Sequence, residues 1–145
     1  MQRDEKEAEK YAMILLRYRE RSKREMEERL KKKGFEESVV KKVVETLSQR
    51  GLLDDERFIN MWIEEILVFR KKGKRAVFFE LKKRGVNEQE IEKEWEKWRE
   101  KEKEIAKKIT EELKDMEVFE IKRKLYQKGF SQEAIEESLS WIQGL

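Results

Sequence analysis

Apolar positions recur along this chain in one pattern, three times over. The first copy is Met26, Leu30, Gly34, Phe35, Val40, Val44, Leu47. The second is Val77, Leu81, Gly85, Val86, Ile91, Trp95, Trp98, and the third is Ile121, Leu125, Gly129, Phe130, Ile135, Leu139, Ile142. Seven positions at identical offsets define three copies of one structural unit. Before each glycine the apolar residues stand four apart; after it they stand at i, i+4 and i+7. Both are one-face helical spacings. The glycine suits the left-handed position just past a helix end. Leu30 with Phe35, Leu81 with Val86, and Leu125 with Phe130 then form the apolar pairs that close those ends. The second member of each pair can also staple onto the following helix, at Val40, Ile91 or Ile135. One side chain per unit is thus expected to fix the crossing of two helices.

Flanking segments supply a third helix for each unit. Residues 5–20 read as a first helix, with Ala8, Tyr11, Ala12, Leu15, Leu16 and Tyr18 available for burial and Met13 and Ile14 widening the apolar face. Ser22 and Glu25 make a capping box for the next helix, which Gly34 ends. Asn87 and Ser131 are good caps for the helices after the second and third hinges, and Glu36 is a poor one. Gly51 repeats the stop signal by pairing Leu47 with Leu52. In Leu52-Leu53-Asp54-Asp55, Asp54 is the expected cap and Leu53 staples onto Phe58; the two adjacent acids read as capping and dipole compensation rather than a metal or catalytic pair. The helix running to Lys72 has large apolar residues on almost every side and is expected to be the most buried. Gly73 is expected to provide the bend after it. From Gln89 to Lys114 there is no glycine, proline or cap-like break, so one helix is expected to run on into the next unit; a break within 99–103 is the alternative. Asp115 is expected to cap the helix that follows. No segment alternates as a strand would. The fold class is therefore all-α: three tandem three-helix repeats, 1–50, 51–100 and 101–145, forming an elongated, curved array.

Composition removes chemistry. The chain has no cysteine and no histidine, which excludes disulfides, thiol nucleophiles, Cys/His zinc sites and histidine bases. No metal, no cofactor and no enzymatic activity are expected. No apolar run approaches the ~20 residues of a membrane span, and the N-terminus does not read as a signal peptide. The expectation is a cytoplasmic monomer without membrane contact.

Charge changes the picture through its placement. Charged residues make up 48% of the chain, yet the net charge is only +3. Residues 17–33 hold nine Lys/Arg against four acids, and residues 70–84 hold eight against one, whereas 85–120 hold eight against thirteen. Two basic turns thus occupy equivalent places in two repeats: Arg17, Arg19, Arg21, Lys23 and Arg24, then Arg70, Lys71, Lys72, Lys74 and Arg75. The third equivalent, Lys114-Asp115-Met116-Glu117, has lost the basic cluster. Basic turns repeated in this way suit a long acidic partner, either nucleic acid or a protein filament built on it.

The run Leu15-Leu16-Arg17-Tyr18-Arg19-Glu20-Arg21-Ser22-Lys23-Arg24-Glu25-Met26, followed by Leu30 and Lys33-Gly34-Phe35, resembles the first repeat of the RecX regulators of the RecA recombinase. Gly51-Leu52-Leu53-Asp54-Asp55-Glu56-Arg57-Phe58 resembles the signature joining that family's first two repeats. Lys72-Gly73 and Leu81-Lys82-Lys83-Arg84-Gly85-Val86 resemble pieces of its second repeat; the third repeat matches weakly. The resemblance implies a non-enzyme that acts in recombination and the SOS response. Such a protein binds the groove of the RecA–DNA filament, bridges neighbouring subunits, and suppresses ATPase, strand-exchange and coprotease activities. It also implies that the first basic turn belongs to the family pattern; the second rests on charge, with only its Lys72-Gly73 core following the family. The rival reading is a helix-turn-helix-like protein acting directly on DNA. Its reading helices, 37–48 and 132–142, would carry Glu37, Lys41, Lys42 and Glu45 in one and Glu133, Glu136 and Glu137 in the other. Those side chains suit base edges poorly, which leaves weak nonspecific phosphate binding.

Overall fold

The structure, a computed structural model, describes residues 3–144. Its described residues form nine α-helices and one π-helical segment, with no strand. The helices are α1 (Arg3–Tyr18), α2 (Lys23–Lys33), α3 (Glu37–Gln49), α4 (Asp55–Ile63), α5 (Lys74–Lys83), α6 (Glu88–Trp95), α7 (Arg99–Glu112), α8 (Val118–Gln127) and α9 (Gln132–Gln143). The π-helical segment Glu64–Phe69 continues α4. Chain packing divides the molecule into two compact units: Met1–Phe58 with Arg84–Val86, and Ile59–Lys83 with Asn87–Leu145.

The first unit is built on α1, α2 and α3. Ala8, Ala12 and Leu15 of α1 meet Met26 and Leu30 of α2 and Val40, Val43, Val44 and Leu47 of α3, with Leu53 closing the cluster. Tyr18 does not join them; it is 81% exposed, because α1 ends there and the chain turns away. Ser22 completes the capping box of α2: its hydroxyl accepts from the Glu25 amide at 3.0 Å, and its own amide donates to Glu25 Oε1 at 3.1 Å. At the far end Gly34 has φ +110°, a left-handed conformation that costs an L residue with a Cβ about 1–2 kcal/mol. The turn lets the Phe35 amide donate to Leu30 O and the Gly34 amide donate to Lys31 O, so the last carbonyls of α2 are satisfied. Phe35 packs against the cluster as a partly buried side chain. Gly51 closes α3 in the same way, with the Leu52 amide donating to Leu47 O.

The second unit contains the third glycine turn. Phe130 and Ile135 are buried, as are Ile121 and Leu125 of α8; full burial of such side chains is worth about 1.5–3 kcal/mol each. The Phe130 amide donates to Leu125 O at 3.1 Å. Helix α7 packs along α9, and α8 packs beside α9. Ile59, Ile63, Ile66 and Leu67 are buried together with Val77, Phe78 and Leu81 of α5. Phe78 meets Trp95 of α6 edge to face, with centroids 6.3 Å apart.

Four local expectations are corrected. The segment 55–69 is not buried on every side: Met61 and Phe69 are exposed, because apolar residues on every side of a helix outnumber the faces its neighbours cover. The bend after it is made by Lys71, at φ +56°, and not by Gly73. The continuous helix expected from Gln89 to Lys114 is broken between α6 and α7, ahead of the 99–103 alternative. There the Lys97 and Trp98 amides donate to Glu94 O and Trp95 O, each three residues back, which tightens the chain into a turn. Asn60 holds that turn, since its side-chain amide donates to Glu94 Oε1 while its oxygen accepts from the Trp98 indole, both at 2.8 Å. Finally, α8 starts at Val118 after Glu117 with no side-chain cap, so Asp115 does not cap it.

Candidate partner-binding turns

The first basic turn, between α1 and α2, is organised by Glu25. Arg19 donates to both oxygens of its carboxylate, at 3.2 and 3.0 Å, and Arg84 donates to Oε2 at 3.4 Å. Burial alone would raise the pKa of this carboxyl, but the Arg19 bonds, the Ser22 amide and Arg84 outweigh it and hold the group below its ordinary value. Arg24 lays its stem over Gly85, where a β-carbon would stand 2.7 Å from Arg24 Cδ, and pairs on the outside with Glu28. The Ser22 hydroxyl donates to Arg84 O at 3.1 Å. The segment Arg84–Val86 is thus part of this turn's foundation.

The Asp54-Asp55 pair completes the first unit. Asp54 accepts from the Arg57 amide at 3.1 Å and caps α4. Asp55 instead accepts from the Lys23 amide at 2.9 Å, tying the start of α4 to the start of α2. Arg57 bonds to Glu20. Of the five basic residues of this turn, Arg19 and Arg24 are held by carboxylates and Arg21 is buried. Arg17 and Lys23 are exposed, and their side chains have no ion pair among the described residues.

The second basic turn lies wholly in the second unit. Arg70 pairs with Glu65 at 3.5 Å and lies over the Trp62 ring. Lys74 lies over the Phe78 ring, and Arg75 stacks 4.0 Å from the Tyr126 centroid while donating to Tyr126 O. Lys71 and Lys72 are exposed and unpaired among the described residues. The backbone below is fixed by the third glycine turn: the Gly73 amide donates to Lys128 O and the Arg75 amide to Gly129 O.

Glu102 locks this arrangement, a role the sequence pattern did not reveal. It is 1% exposed and accepts three bonds: from the Lys74 amide at 2.8 Å, the Ser131 amide at 2.9 Å and the Ser131 hydroxyl at 2.6 Å. Ser131 also caps α9 by accepting from the Ala134 amide. One carboxylate therefore joins the start of α5, the body of α7 and the start of α9. Beside it runs a groove of about 780 Å³, lined by Phe78, Phe79, Lys74, Lys82, Lys83, Glu88 and Glu92 among others.

Comparison with known proteins decides the family. Residues 8–47 match the family model described as RecX, first three-helix domain, and residues 54–93 match that described as RecX, second three-helix domain. The chain belongs to the RecX family. It is similar to the regulatory protein RecX of Thermotoga petrophila, 37% identical over 136 residues that cover 92% of this chain and 83% of that one. It is also similar to the regulatory protein RecX of Mycobacterium sp. (strain JLS), 37% identical over 87 residues covering 60% of this chain; the match spans 48% of that relative's length. In fold it is similar to the crystal structure of RecX from Lactobacillus salivarius, with a TM-score of 0.86, 20% identity and 98% of each chain covered.

Within this RecX-family chain the matched regions contain both basic turns, whereas Lys114–Glu117 falls outside them. Among the described residues no helix is long and apolar enough to cross a membrane, and no group of three or more acidic side chains is placed to hold a metal ion. Among the described residues, the cations of these turns without an ion pair or ring contact include Arg17, Lys23, Lys71 and Lys72.

Proposed function

We propose that this chain is a non-enzymatic negative regulator of RecA. It binds the groove of the RecA–DNA filament and suppresses ATPase, strand-exchange and coprotease activities. The observation that carries the reading is that Arg17 and Lys23, in the first matched family domain, and Lys71 and Lys72, in the second, are exposed and without an ion pair among the described residues. Family membership supports the regulatory role. These cations meet acidic side chains or DNA phosphates on the filament. Filament subunits move relative to one another during ATP turnover, and a chain bound across two of them penalises that motion through its differential affinity for the two arrangements.

Direct groove reading of DNA is disfavoured by the pairing on the two reading helices. Lys41 of α3 pairs with Glu37 and Lys42 with Glu5, while Glu133 and Glu137 of α9 are held by Arg99 and Lys103. Little remains to contact bases or phosphates.

The test is ATP turnover by RecA on single-stranded DNA, with and without the protein. Wild type is expected to suppress turnover, and the quadruple change of Arg17, Lys23, Lys71 and Lys72 to Glu is expected to weaken suppression at least tenfold with unchanged helicity. Arg19 and Arg21 are poor choices for charge reversal, because one holds Glu25 and the other is buried. Full suppression by the quadruple variant would remove the basic turns from the mechanism.

A further inference from the structure

The third repeat lacks a basic turn, yet it carries cations elsewhere, on α8. Helices α5 and α8 together hold seven Lys/Arg against two acids, Glu80 and Glu120, both half-buried. Among the described residues only one of the seven has an ion pair: Lys82, with Glu88 at 2.8 Å. The start of α5 lies against the end of α8. The Arg75 amide donates to Gly129 O at 2.8 Å, and the Arg75 guanidinium stacks 4.0 Å from the Tyr126 centroid. Arg75 therefore joins two helical faces. On α5, Phe79 follows it by one turn and Lys83 by two. On α8, Phe119 and Arg123 share the face of Tyr126, seven and three positions before it. All three rings are open to solvent: Phe79 is 70% exposed, Phe119 72% and Tyr126 58%. Rings and cations thus alternate along one strip: Phe119, Arg123, Tyr126, Arg75, Phe79, Lys83. The α8 half of this strip lies beyond both matched family domains.

We propose that this strip binds an unpaired nucleic-acid strand, with bases stacked on Phe119, Tyr126 and Phe79 and phosphates held by the cations between them. The unpaired cations fix the sign of the ligand, and the exposed rings fix its kind. Separate rings spaced along a basic surface are the elements of a sequence-tolerant stacking platform, since every base has a π-face. The guanidinium of Arg75, planar and already stacked on Tyr126, extends that platform. A duplex keeps its base faces covered and offers these rings nothing to stack on. An acidic amphipathic peptide would call for one continuous apolar groove. Here Phe119 and Tyr126 stand about 10 Å apart along α8, with Arg123 between them, so each ring suits its own base. The proposal concerns the free chain and does not rest on the filament reading.

Binding of the full chain to labelled ligands, without RecA, tests the strip. The probes are a thymidine strand of about 12 nucleotides, an abasic strand of the same length and charge, a duplex of that length and a poly-glutamate peptide. Wild type is expected to bind the thymidine strand about tenfold more tightly than the abasic one. Phe79→Ala and Phe119→Ala are each expected to weaken thymidine-strand binding about tenfold, with abasic binding and helicity unchanged. Arg123→Gln is expected to weaken both strands alike. Equal affinity of wild type for the two strands would reduce the strip to plain charge attraction and overturn the proposal. Tightest binding to the duplex or to the peptide would assign this face to another partner and also overturn it. The comparison of strands needs only wild type, so a variant that misfolds leaves the test intact. With RecA absent, failure here leaves the filament reading standing, and failure to suppress RecA leaves the strip standing.

Discussion

A β-carbon on Gly73 would stand 2.3 Å from the α-carbon of Phe130. The two backbones lie against each other because the Gly73 amide donates to Lys128 O, one turn position before Gly129. Gly73 is thus a contact glycine, whereas Gly34 is a conformational one with open space around its α-carbon. Gly73→Ala is expected to cost about 2–3 kcal/mol by forcing these backbones apart. Gly34→Ala is expected to cost only about 1 kcal/mol, from its left-handed φ. Urea denaturation of the two variants checks the ranking, and equal costs would contradict it.

Glu102→Gln tests the carboxylate that joins α5, α7 and α9. A carboxamide keeps the shape but turns one acceptor into a donor that faces other donors. The loss is expected to be about 2 kcal/mol, the usual cost of leaving a buried partner unsatisfied, and amide exchange near Lys74 and Ser131 should quicken. Exchange unchanged at both positions would show that Glu102 does not hold them.

Acidification should destabilise the fold through Glu94 and Glu25. Glu94 is held below its ordinary value of 4.5 by the Lys97 bond, against its own burial and with help from Asn60. Glu25 is held below it by Arg19, the Ser22 amide and Arg84, which together overcome burial. Folded values below the unfolded ones give stability that is fully present above the ordinary carboxylate range and lost as pH falls through the folded values. The melting temperature is therefore expected to be flat above about pH 5.5 and to fall below about pH 4.5. Glu94→Gln should shallow that fall; an unchanged pH profile would exclude Glu94 as a contributor.

Suppression of RecA should weaken steeply with salt. Arg17, Lys23, Lys71 and Lys72 are solvent-exposed, and at 0.15 M ionic strength such charges are screened over about 8 Å. Raising salt from about 0.05 to 0.3 M should increase the concentration needed for half suppression mainly through slower association. A salt-independent midpoint would point to an apolar docking mode.

The glycine turns were legible because their information is local. Leu30, Gly34 and Phe35 lie within six residues, and the hydrogen bonds that close the turn run between those same residues. The break between α6 and α7 was not legible, because the residue that enforces it, Asn60, stands 34 and 38 positions before Glu94 and Trp98. Glu102 could be seen to interrupt an apolar stripe, but its donors lie 28 and 29 residues away on two other helices. Lys71 was hidden by Gly73 two residues on, which has the stronger propensity for the left-handed region. For the basic turns the sequence supplied charge but not occupancy. Arg19 and Lys23 look equivalent in a count, yet one is committed to Glu25 and the other is open.

The membership of Arg84–Val86 in the first compact unit has a bearing on where the chain can be cut. An N-terminal fragment ending at Phe58 would leave the Ser22 hydroxyl without the Arg84 carbonyl, Glu25 with one cation fewer, and the Arg24 stem without the surface of Gly85 beneath it. The first family domain is contiguous as a stretch of sequence, but its foundation is borrowed from downstream. Any minimal fragment meant to retain the first turn must therefore extend through Val86.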